Sequence, residues 1–161
     1  MKKRQTAVDN STANEAGDIQ PVRQVVSPRG RKILVVDDER HIVRLMQVNL
    51  EHAGFTVLKA YDGIEALEQI RTEQPDLVFL DAMMPHLDGF ETLRAIRAEA
   101  RTRALPVVML TARAQDADIA RACLDGADFY LTKPFNPVEI WTMARRILDK
   151  GYAAERNKIC V

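Results

Sequence analysis

The chain has little cysteine, one tryptophan and few aromatic residues: 2 Cys and 6% Phe, Trp and Tyr in 161 residues. Cys123 falls in a helical pattern and Cys160 lies second from the end, so a disulfide framework is not expected. No window approaches the roughly 18 consecutive apolar residues that a membrane-spanning helix requires. The basic opening MKKRQTAVDNSTANEAGD has no apolar run behind it, which argues against a secretory signal peptide. Two free thiols without an export signal point to the cytoplasm. Net charge is also missing, because 23 Lys and Arg balance 23 Asp and Glu. The balance is uneven along the chain: residues 1–31 carry a net +3, residues 151–161 a net +1, and the body 32–150 a net −4. A mildly acidic body with no basic stripe is expected to be a poor nucleic-acid binder.

What is present suits one soluble domain with one core. Residues 1–30 are polar and without sustained period, and read as a flexible arm. The globular part runs over 31–150, and 151–161 form a short tail. Within the globular part, short apolar runs alternate with helical patterns. KILVV (32–36), TVLKA (56–60), LVFL (77–80), VVML (107–110) and FYLT (129–132) are the strand candidates. Helical spacing follows over 39–53, 64–70, 88–99, 115–125 and 136–149. Gly54 and Gly126 stand at two of the helix ends, and Gln74-Pro75 stops another. A βα unit repeated five times, with strands that are solid apolar runs, predicts an α/β fold: a doubly wound, five-stranded parallel sheet covered by helices on both faces. In such sheets ligands bind outside the carboxyl ends of the strands.

Those ends share a character. The first strand ends at Asp37-Asp38, the third at Asp81, the fourth at Thr111 and the fifth at Lys133. Taken singly, each has an ordinary explanation. Asp37, Asp38 and Thr111 suit helix caps, Asp81 a turn and Lys133 the surface. Taken together they put three carboxylates, a hydroxyl and an ammonium on one edge of the sheet. Two carboxylates ~4 Å apart repel by about 4 kcal/mol at an effective dielectric near 20. One lysine does not neutralise three. Hard oxygen ligands of this kind suit Mg²⁺, and no cluster of His and Cys competes for zinc. Carboxylates, a lysine and a hydroxyl form a site for phosphoryl oxygens, with Asp81 as the nucleophile that accepts the group.

The motifs VVDDE (35–39), FLDAMMPHLDGFE (79–91), VVMLTA (107–112) and GADFYLTKPFNPVEI (126–140) resemble the receiver domain of bacterial two-component response regulators. The resemblance covers about 32–150. It implies a flavodoxin-like (βα)5 fold with strand order 2-1-3-4-5. It implies that Asp81 takes phosphate from a sensor histidine kinase or phosphotransfer protein. Asp38, Asp81 and the main-chain carbonyl of Met83 would bind Mg²⁺, with Asp37 helping through water. Lys133 would meet the phosphoryl oxygens, Thr111 and Tyr130 would act as the switch pair, and the Lys133-Pro134 bond would be cis. Met83 and Arg113 match positions that tune hydrolysis of the phosphoaspartate. The surface formed by the last two helices and the strand between them would then bind a downstream protein. No membrane and no direct nucleic-acid partner is expected.

The chain also departs from the family. His86 stands where Gly or Lys is common. Phe129 replaces the second Asp of the usual G-A-D-D-Y, and Met143 falls where winged-helix members carry an Arg. Those apolar residues weaken the case for a salt-bridged dimer, and suit either a docking patch or ordinary burial. The 11 residues after Lys150 hold no output domain, so a stand-alone switch rather than an enzyme is expected. Two alternatives are a Mg²⁺-dependent aspartyl phosphatase and a degenerate receiver acting as an adaptor. The first lacks the D-x-D of haloacid-dehalogenase-type phosphatases, and the second would have lost one of the acidic, Thr or Lys residues.

Overall fold

A computed structural model describes residues 30–112 and 116–149. The arm, the tail and Arg113 lie outside them. The elements run β1 (Lys32–Val36), α1 (Arg40–His52), β2 (Thr56–Ala60), α2 (Gly63–Glu73), β3 (Leu77–Asp81), α3 (Gly89–Ala98), β4 (Val107–Thr111), α4 (Asp116–Leu124), β5 (Phe129–Thr132) and α5 (Pro137–Asp149). All five strands pair in parallel, in the order β2-β1-β3-β4-β5. The expected fold class and strand order are therefore found.

Alternation of side chains explains why the strands read as solid apolar runs. Successive residues point to opposite faces of the sheet. Ile33 and Val35 join a core under α1 and α5, with Met46, Leu50, Ile140 and Ala144. Leu34 and Val36 join a second core, with Ala66, Ile70, Leu93 and Ile96 from α2 and α3. Both faces are covered, so every position of a central strand prefers to be apolar. β3 is the limiting case, buried at all five positions, Asp81 included.

Polar residues delimit the helices. Asp62 caps α2 by accepting the Glu65 N–H at 2.8 Å. Asp88 and Glu91 form a reciprocal capping box on α3. Gln74 ends α2 in the left-handed region, at φ 50°, and its N–H reaches the Ile70 carbonyl. The cap of α1 is Glu39, not Asp37 or Asp38, and its side chain makes no capping bond. Thr111 is no cap either, since α4 begins at Asp116. None of the helices among the described residues is long and apolar enough to cross a membrane.

One expectation fails. Cys123 is disulfide-bonded, and no cysteine among the described residues is free. Cys160 lies outside them. Chain spacing carries no information about which cysteines meet in space, so the reading of two free thiols had no geometric basis.

Candidate functional site

The parallel register brings the polar strand ends to one edge. Val36 pairs with Ala60 on one side and Leu80 on the other, so Asp37 and Asp81 leave neighbouring strands at the same level. The Asp37 N–H bonds the Ala60 carbonyl at 3.2 Å and the Ala82 N–H bonds the Leu110 carbonyl at 2.8 Å, which extends the ladder past both acids. On the other side Thr111 pairs with Thr132, and its carbonyl accepts the Lys133 N–H at 2.7 Å. Lys133 thereby points its side chain back across the edge. The Lys133-Pro134 bond is cis, as expected.

Asp37, Asp38 and Asp81 each offer a carboxylate oxygen, and these oxygens all lie within 4.8 Å of one another. Asp37 and Asp81 are buried, and Asp38 is exposed. The Lys133 ammonium lies 2.6 Å from Asp37, 3.4 Å from Asp81 and 3.5 Å from Glu39. Asp37 also accepts the Glu39 N–H at 2.9 Å.

Burial pushes the Asp81 carboxyl up to about 7, and the nearby charge of Asp37 adds to this. The Lys133 ammonium and a backbone hydrogen bond from Met83 oppose the shift without cancelling it. Burial likewise raises Asp37 despite its bond to Lys133. Burial alone would lower Lys133, but its hydrogen bond to Asp37 and the charges of Asp81 and Asp37 hold it above its usual value. The site is thus under-neutralised. A divalent cation with a preference for oxygen ligands fits this donor set, because all three candidate ligands are carboxylates and repel one another.

Sequence reasoning missed two supports of the site and one anchor of the opposite edge. Glu39, one residue past the acidic pair, reaches Lys133. Gly89 lets α3 start directly against β3, since a Cβ there would lie 2.0 Å from the Asp81 carbonyl oxygen. At the opposite edge, Arg97 donates to the Gly126 and Leu105 carbonyls at 2.8 and 2.7 Å and pairs with buried Asp128 at 2.7 Å. The Asp-Gly pair within FLDAMMPHLDGFE was a usable signal for Gly89, and the Arg97–Asp128 pair had none.

Other candidates occupy lesser places. Tyr130 is half-buried against the second core. The Met83 side chain is largely exposed. His86 is an exposed loop residue at φ 70°. Phe129 is buried in the first core and Met143 packs against it, so ordinary burial accounts for both. A cavity of about 480 Å³ lined by Ile70, Arg71, Gln74, Glu99 and others lies at the opposite edge, among the loops that enter β3 and β4. It is remote from the carboxylates.

The fold is a doubly wound parallel sheet with acids, a lysine and a threonine at the strand ends, where sheets of this class bind their ligands. Residues 33–145 match the model of the response regulator receiver domain. The chain belongs to that family. It is 45% identical over 124 residues to the alkaline phosphatase synthesis transcriptional regulatory protein PhoP of Bacillus subtilis, covering 77% of this chain and 51% of that one. It is 42% identical over 127 residues to the transcriptional regulatory protein CpxR of Escherichia coli, covering 79% and 53%. The chemotaxis protein CheY4 of Vibrio cholerae superposes with a TM-score of 0.70 at 32% identity, covering 73% of this chain and 98% of that one. The chain thus spans about half the length of the curated relatives it matches.

The matched residues form a phosphorylation-dependent signalling switch, a phosphoacceptor domain of the two-component system. Receiver domains bind Mg²⁺ at an acidic pocket and interact with histidine kinases. The expectation that nucleic acid is no partner finds no support among these relatives, two of which are named as transcriptional regulators.

Proposed function

We propose that Asp81 is the phosphoacceptor and that Mg²⁺ is held by Asp37, Asp38, Asp81 and the Met83 carbonyl. The carrying observation is the convergence of three carboxylates within 4.8 Å beside a single ammonium 3.4 Å from Asp81. A carboxylate oxygen of Asp81 bonds to the phosphorus of a phosphohistidine donor. The P–N bond breaks, and its electron pair stays on the imidazole nitrogen. Bound Mg²⁺ supplies charge neutralisation for the phosphoryl oxygens. Lys133 gives those oxygens a second cationic contact, and the short Thr111 side chain at the end of β4 supplies a hydroxyl. Tyr130, two residues from Thr132 on the neighbouring strand, carries the change to the surface of α4, β5 and α5, where a protein partner binds.

On this reading the domain occupies 31–150, flanked by an arm and a tail, and assists only its own phosphorylation and dephosphorylation. It works on the cytoplasmic side, and the Cys123 disulfide is the feature that a reducing compartment opposes. The test is incubation with acetyl phosphate or a cognate kinase and Mg²⁺, read by intact mass. A gain of one phosphoryl group is expected, together with its loss in Asp81→Ala. Labelling that survives that substitution refutes the assignment.

A further inference from the structure

Glu39 is an odd choice for its position. It is the N-cap of α1, where Ser, Thr, Asp and Asn are favoured, and it makes no side-chain cap bond. Its carboxylate turns to the site instead. Oε1 lies 3.5 Å from Lys133 Nζ, and Oε2 lies 3.5 Å from His41 Nε2. An ammonium offers three N–H donors and no acceptor. Asp37, Asp81 and Glu39 therefore equal in number the donors of Lys133, at 2.6, 3.4 and 3.5 Å from Nζ. Exposure separates the three: the side chains of Asp37 and Asp81 are 0% and 6% exposed, that of Glu39 is 50% exposed. The two aspartates are fixed by their strands. Glu39 stands at the mouth, half exposed to solvent.

We infer that Glu39 is a positioning residue for Lys133 and a charge gate for the phosphodonor. It holds one N–H of the ammonium until a phosphoryl oxygen replaces it, and its negative charge opposes an approaching anionic donor. The inference rests on the reading of Asp81 as phosphoacceptor. With acetyl phosphate, an Asp81 carboxylate oxygen bonds to phosphorus. The P–O bond to the acetyl group breaks, and its electron pair leaves on acetate. No proton is required.

The experiment compares the full chain with Glu39→Gln and Glu39→Asp. The first removes the charge and keeps the length. The second keeps the charge and shortens the reach by one methylene, and Asp is well tolerated at an N-cap. Three quantities are measured: the rate of phosphorylation by acetyl phosphate with Mg²⁺, the affinity for beryllofluoride, and the Lys133 Nζ resonance in metal-free protein. Both variants are expected to raise the rate and the affinity about two- to fivefold, as for the loss of an exposed ion pair. For Glu39→Gln the gain shrinks as salt is added. Both are expected to shift the Nζ resonance. An unmoved resonance, or phosphorylation unchanged or slowed in Glu39→Gln, overturns the inference. So does a Glu39→Asp variant that matches the parent in all three. A parent chain that takes no phosphate refutes the phosphoacceptor reading instead, and the Nζ resonance then decides alone whether Glu39 holds Lys133.

Discussion

Lys133 lies closer to Asp37, at 2.6 Å, than to Asp81, at 3.4 Å. The ammonium is therefore first a counter-ion to the most deeply buried acid of the site, whose side chain is 0% exposed. Removing one partner of a buried pair leaves an uncompensated charge, which costs about 3–5 kcal/mol. Lys133→Met is expected to lose that much in metal-free protein at pH 8, measured by chemical denaturation. Adding Asp37→Asn to the same chain is expected to recover most of the loss. Strictly additive effects would show that the two side chains do not act as a pair.

The Asp81 carboxyl makes stability depend on pH. In the folded metal-free chain it keeps its proton up to about pH 7, whereas its ordinary value is 3.8. Between these values the folded state binds more protons than the unfolded one, so this group's contribution falls as pH rises and is lost fully above about 7. Asp81→Asn is expected to stabilise the metal-free protein at pH 8 by at most about 4 kcal/mol. The gain should fade toward pH 4. A gain that is constant over that range would assign it to something other than titration of Asp81.

Asp128 serves the opposite edge. Its Oδ2 accepts from Arg97 and from the Val107 N–H, both at 2.7 Å. Asp128→Ala removes the buried carboxylate that the Arg97 guanidinium and the Val107 N–H share, and is expected to cost about 3–5 kcal/mol. Phosphorylation of the folded fraction should be unchanged, because the pair lies away from the acids. A thermal melt with and without the substitution, alongside an acetyl phosphate assay at low temperature, separates the two effects.

The architecture was legible because each strand carried its own signature. ILVV, after the opening Lys32 of β1, and LVFL are apolar at every position, and in the structure both of their faces meet helices. The site was legible for the same reason: a polar residue at the end of such a run has only the sheet edge to occupy. Asp37, Asp81 and Lys133 needed nothing more than a parallel register. Glu39 escaped notice because a glutamate at a helix start looks like a solvated charge, and only its tertiary neighbour Lys133 gives it meaning. Arg97 and Asp128 escaped because 31 residues of chain separate them. Phe129 drew attention as a departure from a pattern, whereas the more consequential residue was Asp128 immediately before it.

Arg97 has one further consequence. It fastens the loop before β4 to the loop before β5, and Asp128 adds the Val107 amide at the start of β4. The two strands are thus pinned together where they begin, while Thr111 and Lys133 stand where they end. At the other end the Thr111 carbonyl accepts the Lys133 N–H at 2.7 Å, so the two strands are tied at both ends, by side chains where they begin and by the main chain where the polar residues stand.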